Sequence, residues 1–323
     1  MWKERKVCTI SFFLPKQDHW QIWNNGCIIR HYTASWGDDT IKNHNYSLLS
    51  LDMDGTLLDS AKRIPCATTA AIQQLMEQGV EVVVGTGRGL AELADYRDSL
   101  RGMHYGLLVS GGLIYDFYKE QPLTMHTLSV EQCQRLLETA TEEQAMVHIL
   151  TVRASVAREQ DILHMEDFAM SVYQDMYERV CDRQEDLMLY VQEHADEILK
   201  INLYHRSDES RQRSRESLAG LGLNLVMAES TALEASPQGI TKASGLQELC
   251  KMLQIPLAAT VAVGDAPNDL EILQLAGLSA AMGNAADSVK EICDIVVSDN
   301  DHNGVLEVIN RYFRQQIGSD QQE

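Results

Sequence analysis

From residue 46 onward, short apolar runs alternate with stretches of helical periodicity, and this alternation leaves few folds open. Runs of roughly 4–8 apolar residues separated by helices read as strand–helix–strand units around a parallel sheet. The expected strands are "SLLSLD" (47–52), "VEVVVGT" (80–86), "YGLLVS" (105–110) and "ATVAVGD" (259–265). The second is β-branched through its middle, as suits a strand covered on both faces. Pro65 opens a helix between the first two strands, Ile72, Leu75 and Met76 give it an apolar face, and Gly79 sits where a left-handed residue would end it. A helix over 240–253 carries Ile240, Ala243, Leu246, Leu249, Cys250 and Leu253 on one face, and the pattern continues to a helix ending near Arg314. The expectation is an α/β fold with a doubly wound, mostly parallel sheet.

The alternation lapses between about 125 and 232, which fits an inserted α+β unit. Ser129 with Gln132 resembles a capping box opening a helix through about Glu143. "ILKINLYH" (198–205) alternates with period two, as a half-exposed strand would. A strand over 187–192 and a helix around 166–179 complete the insert. The core is then expected over 46–124 and 233–314, with the insert at 125–232 and a solvated tail at 315–323. Residues 1–45 stand apart, because all four tryptophans lie there, and they are left unassigned. No small-residue cleavage signal closely follows their short apolar run, so a signal peptide is not expected.

The balance of 27 basic against 47 acidic residues, a formal charge of -20, opposes binding to nucleic acid or to anionic membranes. Seven scattered cysteines with no C-x-x-C spacing read as reduced thiols, pointing to the cytoplasm. No apolar stretch approaches the roughly 18 residues of a membrane span.

Three expected strands end in polar residues: Asp52 and Asp54; Thr86 with Gly87 and Arg88; and Asp265 with Asn268 and Asp269. In an open parallel sheet, ligands bind outside such carboxyl ends, so the three segments converge on one crevice. Crowded carboxylates repel one another, and shared protons or a divalent cation must relieve the cost. With only oxygen ligands at hand, the cation would be a hard one, Mg²⁺ foremost. A phosphate monoester adds negative charge, for which Lys242 in "PQGITKASGL" is suitably placed. The Thr86 hydroxyl, the Gly87 N–H and the turn N–H groups from Met53 to Gly55 are the donors that phosphoryl oxygens require. Asp52 can attack phosphorus to form an aspartyl phosphate, while Asp54 protonates the leaving oxygen and later deprotonates water. Singly, each fragment is also an ordinary turn, cap or helix-face lysine; their order on matching strand ends makes the catalytic alternative the stronger one.

The ordered set resembles the haloacid dehalogenase superfamily of phosphohydrolases, most closely its Cof-type branch, over roughly residues 46–312. The resemblance rests on "LDMDGTLLDS", "VVVGTGR", "GITKASGL", "VAVGDAPNDLEIL" and the ending "AAMGNAADSVKEICDIVVSDNDHNGV". It implies a Rossmann-like core with a type C2 cap at the insert. By residue, it implies Asp52 as nucleophile and Mg²⁺ ligand, and Asp54 as general acid/base with its backbone carbonyl on the metal. Thr86, Gly87, Lys242 and Asn268 would hold the phosphate, Asp265 would ligate Mg²⁺, and Asp269 would orient it or its water. In "SGGLIYD" (110–116), Ser110 stands where the branch usually has asparagine, which bears on substrate contacts more than on catalysis.

The expected activity is Mg²⁺-dependent hydrolysis of a small phosphorylated metabolite, such as a sugar phosphate or a cofactor-related phosphate. A phosphomutase of the same fold and a non-catalytic ligand-binding homologue are the alternatives. Oligomeric state is not legible in the sequence. The insert's His148, His164, His194 and His205 read as surface or packing residues, and Met146, Met165, Met170, Met176 and Met188 as core filling.

Overall fold

A computed structural model of the chain describes residues 46–228 and 230–313, together with the backbone of an antiparallel strand pair, Trp20–Ile22 with Ile28–Arg30. The rest of the expected 1–45 extension and the 315–323 tail lie outside the described residues.

The chain enters the core through β1 (Leu48–Leu51), buried throughout. Helix α1 (Cys66–Glu77) follows, with Thr68, Ala71, Ile72 and Leu75 buried at helical spacing. Gly79, at φ +83°, closes it: its N–H donates to Met76 O and the Val80 N–H to Leu75 O, satisfying carbonyls that the helix end would leave bare. Strands β2 (Glu81–Gly85), β3 (Tyr105–Leu108), β4 (Leu113–Asp116) and β5 (Gln121–Met125) come next.

The insert then begins with α2 (Val130–Glu143), opened by the expected Ser129/Gln132 capping box. Its later elements are β6 (Met146–Thr151), β7 (Ser155–Ala157), α3 (Gln174–Val180), β8 (Cys181–Arg183), α4 (Leu187–Glu193), β9 (Ile198–Tyr204), α5 (Asp208–Ser217), β10 (Leu223–Ala228) and β11 (Ala232–Pro237). These strands make one sheet in the order β8-β7-β6-β9-β11-β10.

The chain returns to the core through α6 (Lys242–Leu253), β12 (Thr260–Gly264), α7 (Leu270–Leu275), β13 (Leu278–Ala281), β14 (Ile295–Val296) and α8 (Gly304–Tyr312). The core sheet runs β14-β13-β12-β1-β2-β3-β4-β5, parallel from β14 to β3 and antiparallel over its last two pairings. β1 is therefore flanked by β2 on one side and β12 on the other. The connections diverge there, opening a crevice at the strand ends.

Four expectations change. The insert's sheet extends to Pro237, because β11 pairs with β9 and β10, so a boundary at 232 falls inside a strand. Residues 187–193 are helical and not a strand: Asp186 caps Leu189 N–H, and Leu187, Tyr190 and Val191 are buried at helical spacing. The helix around 166–179 breaks into a short 3₁₀ turn at Met165–Phe168 and α3, interrupted by Ala169 at φ +57°. β9 is buried on both faces where one was expected to meet solvent. Its Ile201 and Leu203 pack in the insert's own apolar core with α2 residues such as Leu136, while Leu199 joins the core domain's apolar cluster and Tyr204 packs with Phe168 and Tyr177 of the insert. Among the described residues, no helix is long and apolar enough to cross a membrane.

Candidate active site

Asp52 directly follows β1, and its N–H donates to Val263 O, carrying the pairing with β12 one step further. The chain then turns tightly: Leu57 and Leu58 N–H groups donate back to Asp52 O and Met53 O, around Gly55 at φ +84°. Gly55 is required twice over, since a Cβ there would also lie 2.4 Å from Asp265 Oδ2. Asp265 follows β12 and accepts a hydrogen bond from Thr56 Oγ1 at 2.8 Å. Asp269 ends the next short turn, and its Oδ2 accepts the N–H groups of Asp265 and Ala266, both at 3.1 Å. That carboxylate thus shapes the loop holding Asp265.

Lys242 joins the two segments. It is the first residue of α6, whose N-terminus is fixed by reciprocal hydrogen bonds between Thr241 and Ser244. Gly111 and Gly245 let this turn approach the 109–112 loop, for a Cβ on Gly111 would stand 2.2 Å from Thr241 O. From there the buried Lys242 ammonium donates to Asp52 Oδ1 at 2.5 Å and to Asp269 Oδ1 at 2.7 Å. Burial alone would depress its pKa, but Asp269 and Asp52 outweigh that and hold it raised.

Burial drives the Asp52 carboxyl well above the ordinary range, and Asp269 and Asp265 add repulsion that Lys242 only partly offsets. Burial likewise pushes Asp265 up to about 6. Ligand oxygens of Asp52, Asp265 and Asp269 lie within 4.8 Å of one another. This donor set fits a hard divalent cation: it is all oxygen, crowded, and short of positive charge.

Asp54 points elsewhere. Arg88 Nε and Nη2 donate to its Oδ2 and Oδ1 at 2.7 and 2.8 Å, and Lys62 Nζ donates to Oδ1 at 2.7 Å. Burial opposes ionisation, but Arg88 and then Lys62 outweigh it and bring the carboxyl down to about 2. Met53 is buried in the turn, and Thr86 and Gly87 directly follow β2, the neighbour of β1. Thr86 Oγ1 accepts the Arg88 N–H at 3.2 Å, leaving its own hydrogen free to donate. Asn268 is exposed, and among the described residues it bonds to none of the others.

Sequence reasoning gave no role to four polar residues here. Arg88 was visible as the residue after Thr86-Gly87, but nothing local marks Asp54 as its partner. Thr56 and Lys62 likewise find partners only in the folded chain. Lys200, on β9, comes from the insert: it donates to Ser110 Oγ at 3.2 Å and lies 2.5 Å from Glu234 Oε2. A lysine within the apolar strand "ILKINLY" was its signal.

Residues 49–309 match the haloacid dehalogenase-like hydrolase family. The chain is similar to Phosphatase YwpJ of Bacillus subtilis, 27% identical over 289 residues that span 81% of this chain and 98% of that protein. It is also similar to 5-amino-6-(5-phospho-D-ribitylamino)uracil phosphatase YcsE of the same organism, 26% identical over 82% of this chain and 95% of that one. A haloacid dehalogenase-like hydrolase from Bacteroides thetaiotaomicron shares the fold with a TM-score of 0.73 and 25% identity, over 83% of this chain and 100% of its own. The chain therefore belongs to the haloacid dehalogenase-like hydrolase family.

Proposed function

We propose that this chain is a Mg²⁺-dependent phosphomonoester hydrolase acting on a small phosphorylated metabolite through an aspartyl phosphate on Asp52. The observation that carries the reading is Lys242, which orients Asp52 through Oδ1 beside Asp265 and Asp269. The relatives support the substrate size: one is named for a phosphoribitylaminouracil and another, from Serratia proteamaculans, for HMP-PP.

Asp52, Asp265 and the Asp54 backbone carbonyl would hold the cation, with Asp269 holding the Asp265 loop. A bound divalent cation supplies positive charge that offsets the carboxylates and the phosphate. Thr86, Gly87, Lys242, the Met53 turn and Asn268, once its side chain turns inward, bind the phosphoryl oxygens. An Asp52 oxygen attacks phosphorus and the ester P–O bond breaks, with Asp54 passing a proton to the leaving oxygen. Asp54 enters this step protonated, once the incoming phosphate competes for both Arg88 and Lys62, which otherwise hold it ionised. It then takes a proton from water, which attacks the phosphorus, freeing phosphate and restoring Asp52. The insert acts as a cap that excludes bulk water. The five free cysteines among the described residues fit a reducing compartment, and we place the enzyme in the cytoplasm.

Hydrolysis of p-nitrophenyl phosphate with Mg²⁺ tests this reading. Activity is expected, is lost with EDTA, and falls by about three orders of magnitude or more in Asp52→Asn. Undiminished turnover in that variant would remove the nucleophile.

A further inference from the structure

The loops after β13 and β14 reach the turn that follows β1, and neither supplies a residue to the hydrolytic steps. Asn284, in the first loop, donates from Nδ2 to Gly55 O at 2.8 Å, and its Oδ1 accepts the Asn300 N–H from the second at 3.1 Å. Asn300 Nδ2 donates in turn to Leu58 O at 2.8 Å. Next to it, Asp301 accepts from Ser60, through Oδ1 from the N–H at 2.8 Å and through Oδ2 from the hydroxyl at 2.6 Å. The turn is thus pinned along its length to segments that follow the insert.

The loop that carries Asn284 is anchored at its other side to Asp265. Ala286 N–H donates to Asp265 O at 3.0 Å, and Met282 N–H donates to Gly264 O at 3.1 Å. Residues 282–286 therefore hold the Asp265 backbone through main-chain bonds and the Gly55 carbonyl through one side chain. Thr56 ties the same two segments, but it does so by occupying a carboxylate oxygen of Asp265. Asn284 ties them and leaves that carboxylate free. Its point of attachment also matters, because peptide groups are planar and only the φ and ψ of Gly55 separate its anchored carbonyl from the Asp54 carbonyl. Glycine is the residue freest to swing about those two angles, so an outside anchor has the most to restrain there.

We propose that Asn284 is a positioning residue that sets the spacing between Asp265 and the Asp54 carbonyl, and through that spacing the preference of the site for a small cation. The proposal rests on the hydrolase reading above and adds a determinant of its cation. Mg²⁺ demands near-ideal octahedral geometry at about 2.0–2.1 Å, whereas Ca²⁺ accepts about 6–8 oxygens at about 2.3–2.6 Å in flexible arrangements. A loosened Gly55 turn therefore weakens Mg²⁺ more than Ca²⁺.

Calorimetric titration of Mg²⁺ and of Ca²⁺ into the metal-free full chain, with no substrate present, tests this. Asn284→Ala is expected to raise the Mg²⁺ dissociation constant by about tenfold and the Ca²⁺ constant by about threefold or less. Asn300→Ala loses the bond to Leu58 O but keeps the N–H donated to Asn284, and should give a smaller shift in the same direction. Asn284 is exposed, so melting of the metal-free variant should stay within about 2 °C of wild type, which separates a change in the site from a general loss of structure. Unchanged Mg²⁺ affinity in Asn284→Ala, or equal weakening of both cations, would overturn the proposal. A wild-type chain that binds Mg²⁺ and shows these shifts, yet leaves p-nitrophenyl phosphate intact, would overturn the hydrolase reading while the role of Asn284 stands.

Discussion

Arg88 grips both carboxylate oxygens of Asp54 from two residues beyond Thr86, tying the turn after β1 to the turn after β2. Bidentate guanidinium–carboxylate pairs are strong and geometrically specific. The same guanidinium touches the insert, with Nη1 3.0 Å from Met176 Sδ. Arg88 thus places Asp54 while registering the position of α3.

Removing that grip should impair turnover with Asp52 intact. Arg88→Ala is expected to lower kcat by about 10–100-fold, with Arg88→Lys intermediate because it keeps the charge but not the fork. Steady-state kinetics on p-nitrophenyl phosphate, with melting curves for both variants, would check this; full activity in Arg88→Ala would dissociate the pair from catalysis.

Lys242→Met should be costly to stability as well as activity. The substitution leaves Asp52 and Asp269 buried without their shared cation, and breaking one side of a buried ion pair typically costs about 3–5 kcal/mol. Denaturant unfolding without added metal is the measurement, and an unchanged midpoint would contradict it. Added Mg²⁺ should recover part of the loss.

Gly55→Ala is expected to weaken the response to Mg²⁺ before it weakens the fold. The new methyl must push Asp265 Oδ2 away from a 2.4 Å contact and also hold φ at +84°. The Mg²⁺ concentration for half-maximal hydrolysis should rise by about tenfold, as for other changes that displace a ligand's support. An unaltered Mg²⁺ titration would show that Asp265 need not stand where it does.

The pH dependence of stability carries a signature of His148. Burial, then the charge of Lys200, depress this imidazole to about 3, against about 6.5 when unfolded. Above about pH 6.5 neither state binds the proton. As pH falls from there toward 3, the unfolded chain takes up a proton that the folded chain refuses, so stability drops by up to about 1.4 kcal/mol per pH unit. Wild-type protein should therefore lose more melting temperature than His148→Gln between pH 7.5 and 5, and parallel curves would refute it.

Much of the core was legible because its signals are local. A β-branched run, a proline before a helix, a glycine after it and a Ser129/Gln132 cap each act within a few residues, and each element formed as these signals direct. The helix at Leu187–Glu193 was misread because seven residues, largely apolar, suit either period until Asp186 is seen to cap them. The residues at 52, 86 and 265 were legible by position, since strand ends in a parallel sheet share one edge, whereas Lys242 opens α6 and meets Asp52 only in the folded chain.

The chain's order of residues, taken alone, determined which side chains reach that edge and the alternation that sets Lys200 and Asn202 on one side of their strand. Only the tertiary structure decided their partners: Arg88 for Asp54, Glu234 for Lys200, and packed side chains in place of water against both faces of β9. The reason is physical. Periodicity records which way a side chain points relative to its neighbours in sequence, whereas an ion pair between distant segments depends on how their backbones meet in space, which no local pattern encodes.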